Sequence, residues 1–220
     1  MENELENNIV KIGGRIASKP EFSHEIYDEK FYKFNIETNR LSSYSDRLPV
    51  LISERIIQLD NLNVGDLVYI SGQFRSYNEP TDNGKSRLVL TIFTKEIDII
   101  DDESIITLND ATFIGYVCKP PIYRKTPLGR EITDLLIAVN RTYKKSDYIP
   151  CILWGRNAKF CENICTGTMV KLSGRIQSRK YEKKQLDGSI LEKVAYELSV
   201  SKFSVLDEKE NNEKNEEVEQ

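Results

Sequence analysis

The chain has 220 residues, 39% hydrophobic and 30% charged, which suits one large domain or two of about 100 residues each. No window approaches the ~18 uninterrupted apolar residues of a membrane helix. The acidic start MENELENN lacks the basic, then apolar, run of a secretory leader, so a cytoplasmic protein is expected. The net charge of −4 is the sum of three unlike blocks. Residues 1–103 carry 12 Lys and Arg against 19 Asp and Glu, a net −7; residues 104–206 carry 17 against 9, a net +8; residues 207–220 carry 2 against 7, a net −5. Such asymmetry points to nucleic acid on the middle block and to an acidic, disordered tail.

In chain order, residues 1–7 read as disordered. Strands are expected at Val10–Ile16, Lys33–Arg40 and Leu48–Ser53, a short helix near Ile56, and strands again at Leu67–Phe74 and Leu88–Ile100. Residues 102–108 read as a linker. The second half repeats the order: strands at Thr112–Val117, Ile132–Arg141 and Tyr148–Trp154, a helix at Asn157–Ile164, then strands at Met169–Gln177 and Val194–Val205. Pro120 and Pro121 close the first of these strands, because proline offers a ladder no donor. Ala158, Cys161 and Cys165 form a candidate inward stripe of the helix, and Gly167 ends it. The tail after Leu206 has no apolar period.

The two halves are copies. A shift of 101 aligns Gly14 with Gly115, Asn39-Arg40 with Asn140-Arg141, Pro49 with Pro150 and Arg55 with Arg156; after one inserted residue, a shift of 102 aligns Ser71-Gly72 with Ser173-Gly174. Five short strands with a helix between the third and fourth match the OB-fold, a five-stranded Greek-key barrel. The expected fold is therefore all-β with one short helix per domain: two tandem OB-fold barrels, over residues 8–101 and 109–206.

The stretch Asp147–Arg156 (DYIPCILWGR) holds the one tryptophan. Alternation places Ile149, Cys151 and Leu153 on one face and Tyr148, Pro150, Ile152 and Trp154 on the other. An outward face with two aromatics suggests stacking of unpaired bases; the alternative for Trp154 is a core tryptophan. In the fourth strand Val170, Leu172, Gly174 and Ile176 face inward, while Met169, Lys171, Ser173, Arg175 and Gln177 face outward. Arg179, Lys180, Lys183 and Lys184 extend this basic face into a loop.

The second copy, from about Ala111 to Leu206, resembles the bacterial single-stranded DNA-binding proteins. The resemblance rests on Gly115 and Pro121, Leu136–Arg141 (LIAVNR), Tyr148–Arg156, Gly167–Val170 and Ser173–Tyr181 (SGRIQSRKY). It implies sequence-tolerant binding and protection of single-stranded DNA during replication, repair or recombination. Stacking would fall on Tyr143, Tyr148, Trp154 and Tyr181, and phosphate contacts on Arg141, Arg156, Lys171, Arg175, Arg179 and Lys180. It also implies a homodimer of four barrels. The family's tail ends in an acidic tip closed by an apolar pair that recruits replication proteins; here the end reads Glu216-Glu217-Val218-Glu219-Gln220, so that recruitment is not expected to follow the family's pattern.

The first copy departs from the second. Tyr148 corresponds to Arg47, Trp154 to Ser53, and Lys171 and Arg175 to Tyr69 and Gln73. Its outer face on the fourth strand reads Leu67, Tyr69, Ser71 and Gln73, apolar to neutral, which suggests an assembly role. Arg40, Tyr44, Arg47 and Arg55 leave it some capacity for DNA. No catalytic constellation is present: there is no phosphate-cradling glycine loop, and the one histidine, His24, has no nucleophile partner. Neither cofactor nor metal is expected, since Cys161 and Cys165 lack further ligands. Rival readings are an OB-fold RNA-binding module and a primosome-like adaptor whose barrels bind proteins.

Overall fold

The computed structural model describes residues 6–80, 84, 86–184 and 188–206, without the side chains of residues 143, 183 and 184. The expected disordered tail at 207–220 lies outside the described residues, as do residues 1–5. Asn7, expected to be disordered, is instead held: its Nδ2 donates to the Asn140 carbonyl at 2.7 Å and its own carbonyl accepts from Ile114 N at 2.8 Å.

The first copy contains β1 (Asn8–Ile16), β2 (Glu21–Ile26), β3 (Glu29–Asn39), β4 (Ser45–Ser53), β5 (Leu67–Pro80) and β6 (Ser86–Ile99). Their order is β2-β3-β4-β6-β5-β1, and a β1–β3 pairing closes the barrel. The β4–β6 contact is parallel, and the other described pairings of this copy are antiparallel. Alternation supplies the core: Val10, Ile12, Ile36, Val50, Ile52, Ile70, Phe74 and Ile92 are fully buried, each such side chain contributing about 1.5–3 kcal/mol.

The second copy contains β7 (Asn109–Val117), β8 (Ile122–Lys125), β9 (Glu131–Asn140), β10 (Ser146–Trp154), α1 (Gly155–Cys161), β11 (Met169–Lys184) and β12 (Ile190–Val205). The order β7-β11-β12-β10-β9-β8 with a closing β7–β9 pairing repeats the first barrel. Each copy is thus an OB-fold with one extra short strand, β2 or β8, hairpinned onto its second barrel strand. Both extra strands are largely exposed, so they lack the apolar alternation that would mark them in sequence.

The helices differ from expectation. In the second copy α1 is earlier and shorter than Asn157–Ile164, and Cys165 is exposed, while Ala158 and Cys161 are buried as expected. In the first copy the short helix expected near Ile56 is one 3-10 turn at Leu59–Asn61. The linker is also structured: Glu103–Thr107 form a 3-10 turn capped by the Asp102 carboxylate, which accepts from Ser104 N at 2.9 Å.

Contacts group the described residues into two units. One holds residues 6–8, 112–174 and 199–206; the other holds Ile9–Ala111 with Arg175–Leu198. The distal half of the β11–β12 hairpin therefore packs with the first copy. Within that unit Ile176 and Asn109, at the start of β7, exchange two hydrogen bonds, at 2.8 and 2.9 Å. Asp46, its side chain 1% exposed, accepts from Ser178 N at 2.7 Å and Ser178 Oγ at 3.0 Å.

Candidate nucleic-acid interface

Strand β10 sets out the central residues. Ile149, Cys151 and Leu153 are buried, whereas Tyr148 and Trp154 keep 43% and 37% of their surface exposed. The sequence places both aromatics correctly on the outer face, and Trp154 is not a core residue. Ile152, expected beside them, is 4% exposed and belongs to the buried set. The Trp154 indole Nε1 donates to Ser199 Oγ on β12 at 3.3 Å, which ties the ring's edge to the neighbouring strand.

Gly155 adopts φ of 55°, a left-handed geometry that glycine takes without steric cost. This bend turns the strand into α1 directly after Trp154. With Ala158 and Cys161 inward, the helix presents Arg156, Lys159 and Phe160 outward. An open groove of about 920 Å³ lies there, lined by Trp154, Arg156, Lys159, Phe160 and Phe203 among others, and among the described residues no carboxylate lines it. Phe160, 61% exposed, meets Phe203 edge-on at 5.8 Å. Lys159, Phe160 and Phe203 escaped the sequence reading. The signal for Phe160 was present, because an Ala158–Cys161 inward stripe leaves it facing out.

Arg141 is positioned differently from the groove cations. Its Nε donates to Asp147 Oδ2 at 2.6 Å and a second guanidinium nitrogen donates to Oδ1, while the Asp147 side chain is 1% exposed. The first copy repeats this pair as Arg40 with Asp46, at 2.8 and 2.7 Å. A bidentate pair present in both copies is a fixture of the barrel. Lys171, by contrast, is exposed on β11. The Tyr143 side chain lies outside the described residues.

The distal β11–β12 hairpin carries the other cations. Arg175 donates to Gln177 Oε1 at 3.1 Å and lies 3.9 Å from Asp46. Burial, then the neighbouring Arg40 charge, lowers its pKa, and hydrogen bonding to Asp46 raises that of Arg40. Gln177, expected to face outward, is buried and donates to Glu197 at 2.8 Å. Arg179 lies 3.4 Å from Glu197 and 6.0 Å from the centre of the Tyr181 ring, which is 39% exposed. Lys180 pairs with Glu192 at 2.9 Å. These cations each lie beside a carboxylate, whereas Arg156 and Lys171 make no ion pair among the described residues.

In the first copy Arg40 is held by Asp46 and also donates to the Ser178 carbonyl at 3.2 Å. Arg47 donates to the Ala17 carbonyl at 3.2 Å, Arg55 lies 3.3 Å from Glu29, and Tyr44 is 71% exposed. The apolar outer face expected on β5 is not there: Leu67 is buried, leaving Tyr69, Ser71 and Gln73 half-buried.

Residues 108–206 match the model of the single-strand binding protein family. The single-stranded DNA-binding protein B of Bacillus subtilis (strain 168) is 34% identical over 84 residues, covering 35% of this chain and 74% of that protein. The single-stranded DNA-binding protein 1 of Staphylococcus aureus (strain COL) is 34% identical over 85 residues, 36% of this chain and 51% of that protein. The chain thus spans about half the length of several curated relatives it matches. The fold is similar to the crystal structure of the wild-type single-stranded DNA binding protein from Thermus aquaticus, with a TM-score of 0.74, 16% identity, and 91% of this chain and 93% of that one covered. That likeness spans both barrels, while the sequence matches fall on the second. On this evidence the chain belongs to the single-strand binding protein family.

Proposed function

We propose that this chain binds single-stranded DNA with little sequence preference, and acts by binding rather than by catalysis. The observation that carries the reading is Trp154, tied by its Nε1 to Ser199 yet 37% exposed, in a groove that Arg156 and Lys159 line and, among the described residues, no carboxylate does. An aromatic face stacks any base, and cations beside it meet the phosphates. Tyr148 extends the stacking surface along β10, and Lys171 adds an exposed cation. Tyr181, Arg179, Lys180 and Arg175 line the hairpin, and Tyr143 is assigned to stacking by its place in the motif alone. Arg141 acts through Asp147 as a positioning residue. The printed names of the relatives agree with DNA over the RNA and adaptor alternatives.

The setting that fits is DNA replication, repair or recombination in the cytoplasm; no helix of the described residues is long and apolar enough to cross a membrane. The working division is residues 8–101, a linker at 102–108, residues 109–206, and an acidic tail. The working assembly is a homodimer presenting four barrels, to which the first copy contributes. Light scattering should give twice the 25.4 kDa chain mass; a monomer mass at working concentration removes that part. For binding itself, Trp154→Ala should weaken a labelled oligo-dT by about 10- to 100-fold, since base stacking on one aromatic is worth ~1–3 kcal/mol. Unchanged affinity in a folded variant contradicts the proposal.

A further inference from the structure

The two copies carry opposite charge on one matched element, the short strand that each adds to its barrel and the turn that follows it. In the first copy residues 21–29 hold Glu21, Glu25, Asp28 and Glu29 and no Lys or Arg. In the second, the matched residues 122–130 hold Arg124, Lys125 and Arg130 and no Asp or Glu. β2 ends the strand order of the first copy and β8 that of the second. Among the described residues β2 pairs with β3 alone and β8 with β9 alone. The outer edge of each therefore keeps backbone N–H and C=O groups free for another strand.

Apolar surface accompanies the charge: Phe22, Ile26 and Tyr27 are exposed on the first hairpin, and Ile122 and Leu128 on the second. The charges are available as well. Glu21, Glu25 and Asp28 make no ion pair among the described residues, while Glu29 is held by Arg55 at 3.3 Å. Arg124 lies 2.7 Å from Asp134 and Lys125 lies 3.9 Å from Glu131, both pairs at the surface, where such pairs hold their charges weakly. Charged edges ordinarily keep sheets from pairing, and each edge here does repel its own kind. An acidic edge and a basic edge attract, so like-with-like contacts are excluded and β2 against β8 is selected.

We propose that the acidic edge β2 of one molecule takes the basic edge β8 of a second copy of this chain. Carboxylates of the one strand then stand against Arg124 and Lys125 of the other, and Phe22 and Ile26 come beside Ile122 as cross-strand neighbours. A contact between unlike edges is head-to-tail. It does not close on itself as a two-fold pair does, so each added copy leaves one free edge of each kind. This contact is separate from the homodimer proposed above and independent of the Trp154 groove. The basic hairpin alone would equally suit phosphates, but the acidic hairpin would not; a partner that carries both charges accounts for both hairpins.

Sedimentation velocity on the full chain without nucleic acid, over a range of concentrations at low and at high salt, reads the contact. Species heavier than two chains should grow with concentration at low salt and dissolve at high salt. One variant carries Glu21→Lys with Glu25→Lys, another Arg124→Glu with Lys125→Glu. Each alone should weaken the association at least about 10-fold, since like charges then face each other. An equimolar mixture of the two should regain it, because each variant then meets the other's opposite edge. Where a reversal unfolds its hairpin, the neutral Glu25→Gln and Lys125→Gln decide, and each should weaken association about twofold. The contact is overturned if the wild type forms nothing heavier than two chains at low salt, if folded reversal variants fail to rescue each other, or if both neutral variants associate as wild type. An Arg124→Glu, Lys125→Glu variant that associates as wild type but loses affinity for oligo-dT also overturns it, and makes that hairpin a phosphate contact instead.

Discussion

The two barrels share a frame and differ in what they place on it. Both close through the same pairings, and both lock an arginine bidentately onto a buried aspartate, Arg40 on Asp46 and Arg141 on Asp147. The second barrel then shows Trp154 beside cations, with no carboxylate among the described residues of the groove, whereas the first shows Ser53, buried and donating to Glu29. Matching positions one by one makes the first copy look stripped of its aromatic. The repeat thus separates the frame, which both copies keep, from the surface, which differs between them.

All four cysteines lie in the second copy, so thiol labelling reads that copy alone and gives the largest expected contrast. Cys165 is exposed and should react at once, whereas Cys161 is fully buried and its pKa is pushed up to about 11 by burial. Cys161 should label only through opening, at least about a thousandfold slower if opening costs on the order of 5 kcal/mol. Comparable rates would show that α1 frays freely. The sign of the linkage follows: a thiol titrating near 9.0 when unfolded and near 11 when folded stabilises the fold fully below the lower value. That contribution is lost as pH rises toward 11.

A smaller effect breaks the shared frame on one side. Asp46→Ala leaves the Arg40 guanidinium and the Ser178 donors without their acceptor. It should cost about 3 kcal/mol, the low end for a broken buried pair because Arg40 keeps some exposure. The melting temperature should fall as the hairpin loosens. A melting temperature equal to wild type would mean that Asp46 does not anchor the hairpin. Smallest of all is Lys180→Ala: its pair with Glu192 is exposed on both sides, so stability should shift by less than about 1 kcal/mol. A larger loss in thermal unfolding would assign Lys180 a structural role instead of a phosphate-facing one.

Much of this was legible in the residues. Alternation on β10 placed Tyr148 and Trp154 outward and Ile149, Cys151 and Leu153 inward, because period two in sequence is period two in space. It could not show that Ile152 is covered, since alternation gives the side of a strand and not what lies over it. The pairing of Arg141 with Asp147 was carried by a spacing of six residues present in both copies, yet a cation counted alone reads as a phosphate contact. The commitment of Arg179 to Glu197 and of Arg175 to Asp46 was hidden for a different reason: those partners come from β12 and from the other copy's sequence.

The most direct test of the central claim uses the tryptophan as its own reporter. Titrating oligo-dT into the full chain at two salt concentrations should quench Trp154 fluorescence to saturation. Affinity should fall as salt rises, with a log–log slope of about −0.7 per phosphate neutralised on a single strand. A fluorescence signal that does not change while the chain stays folded would contradict stacking at Trp154, and quenching independent of salt would contradict the cationic groove beside it.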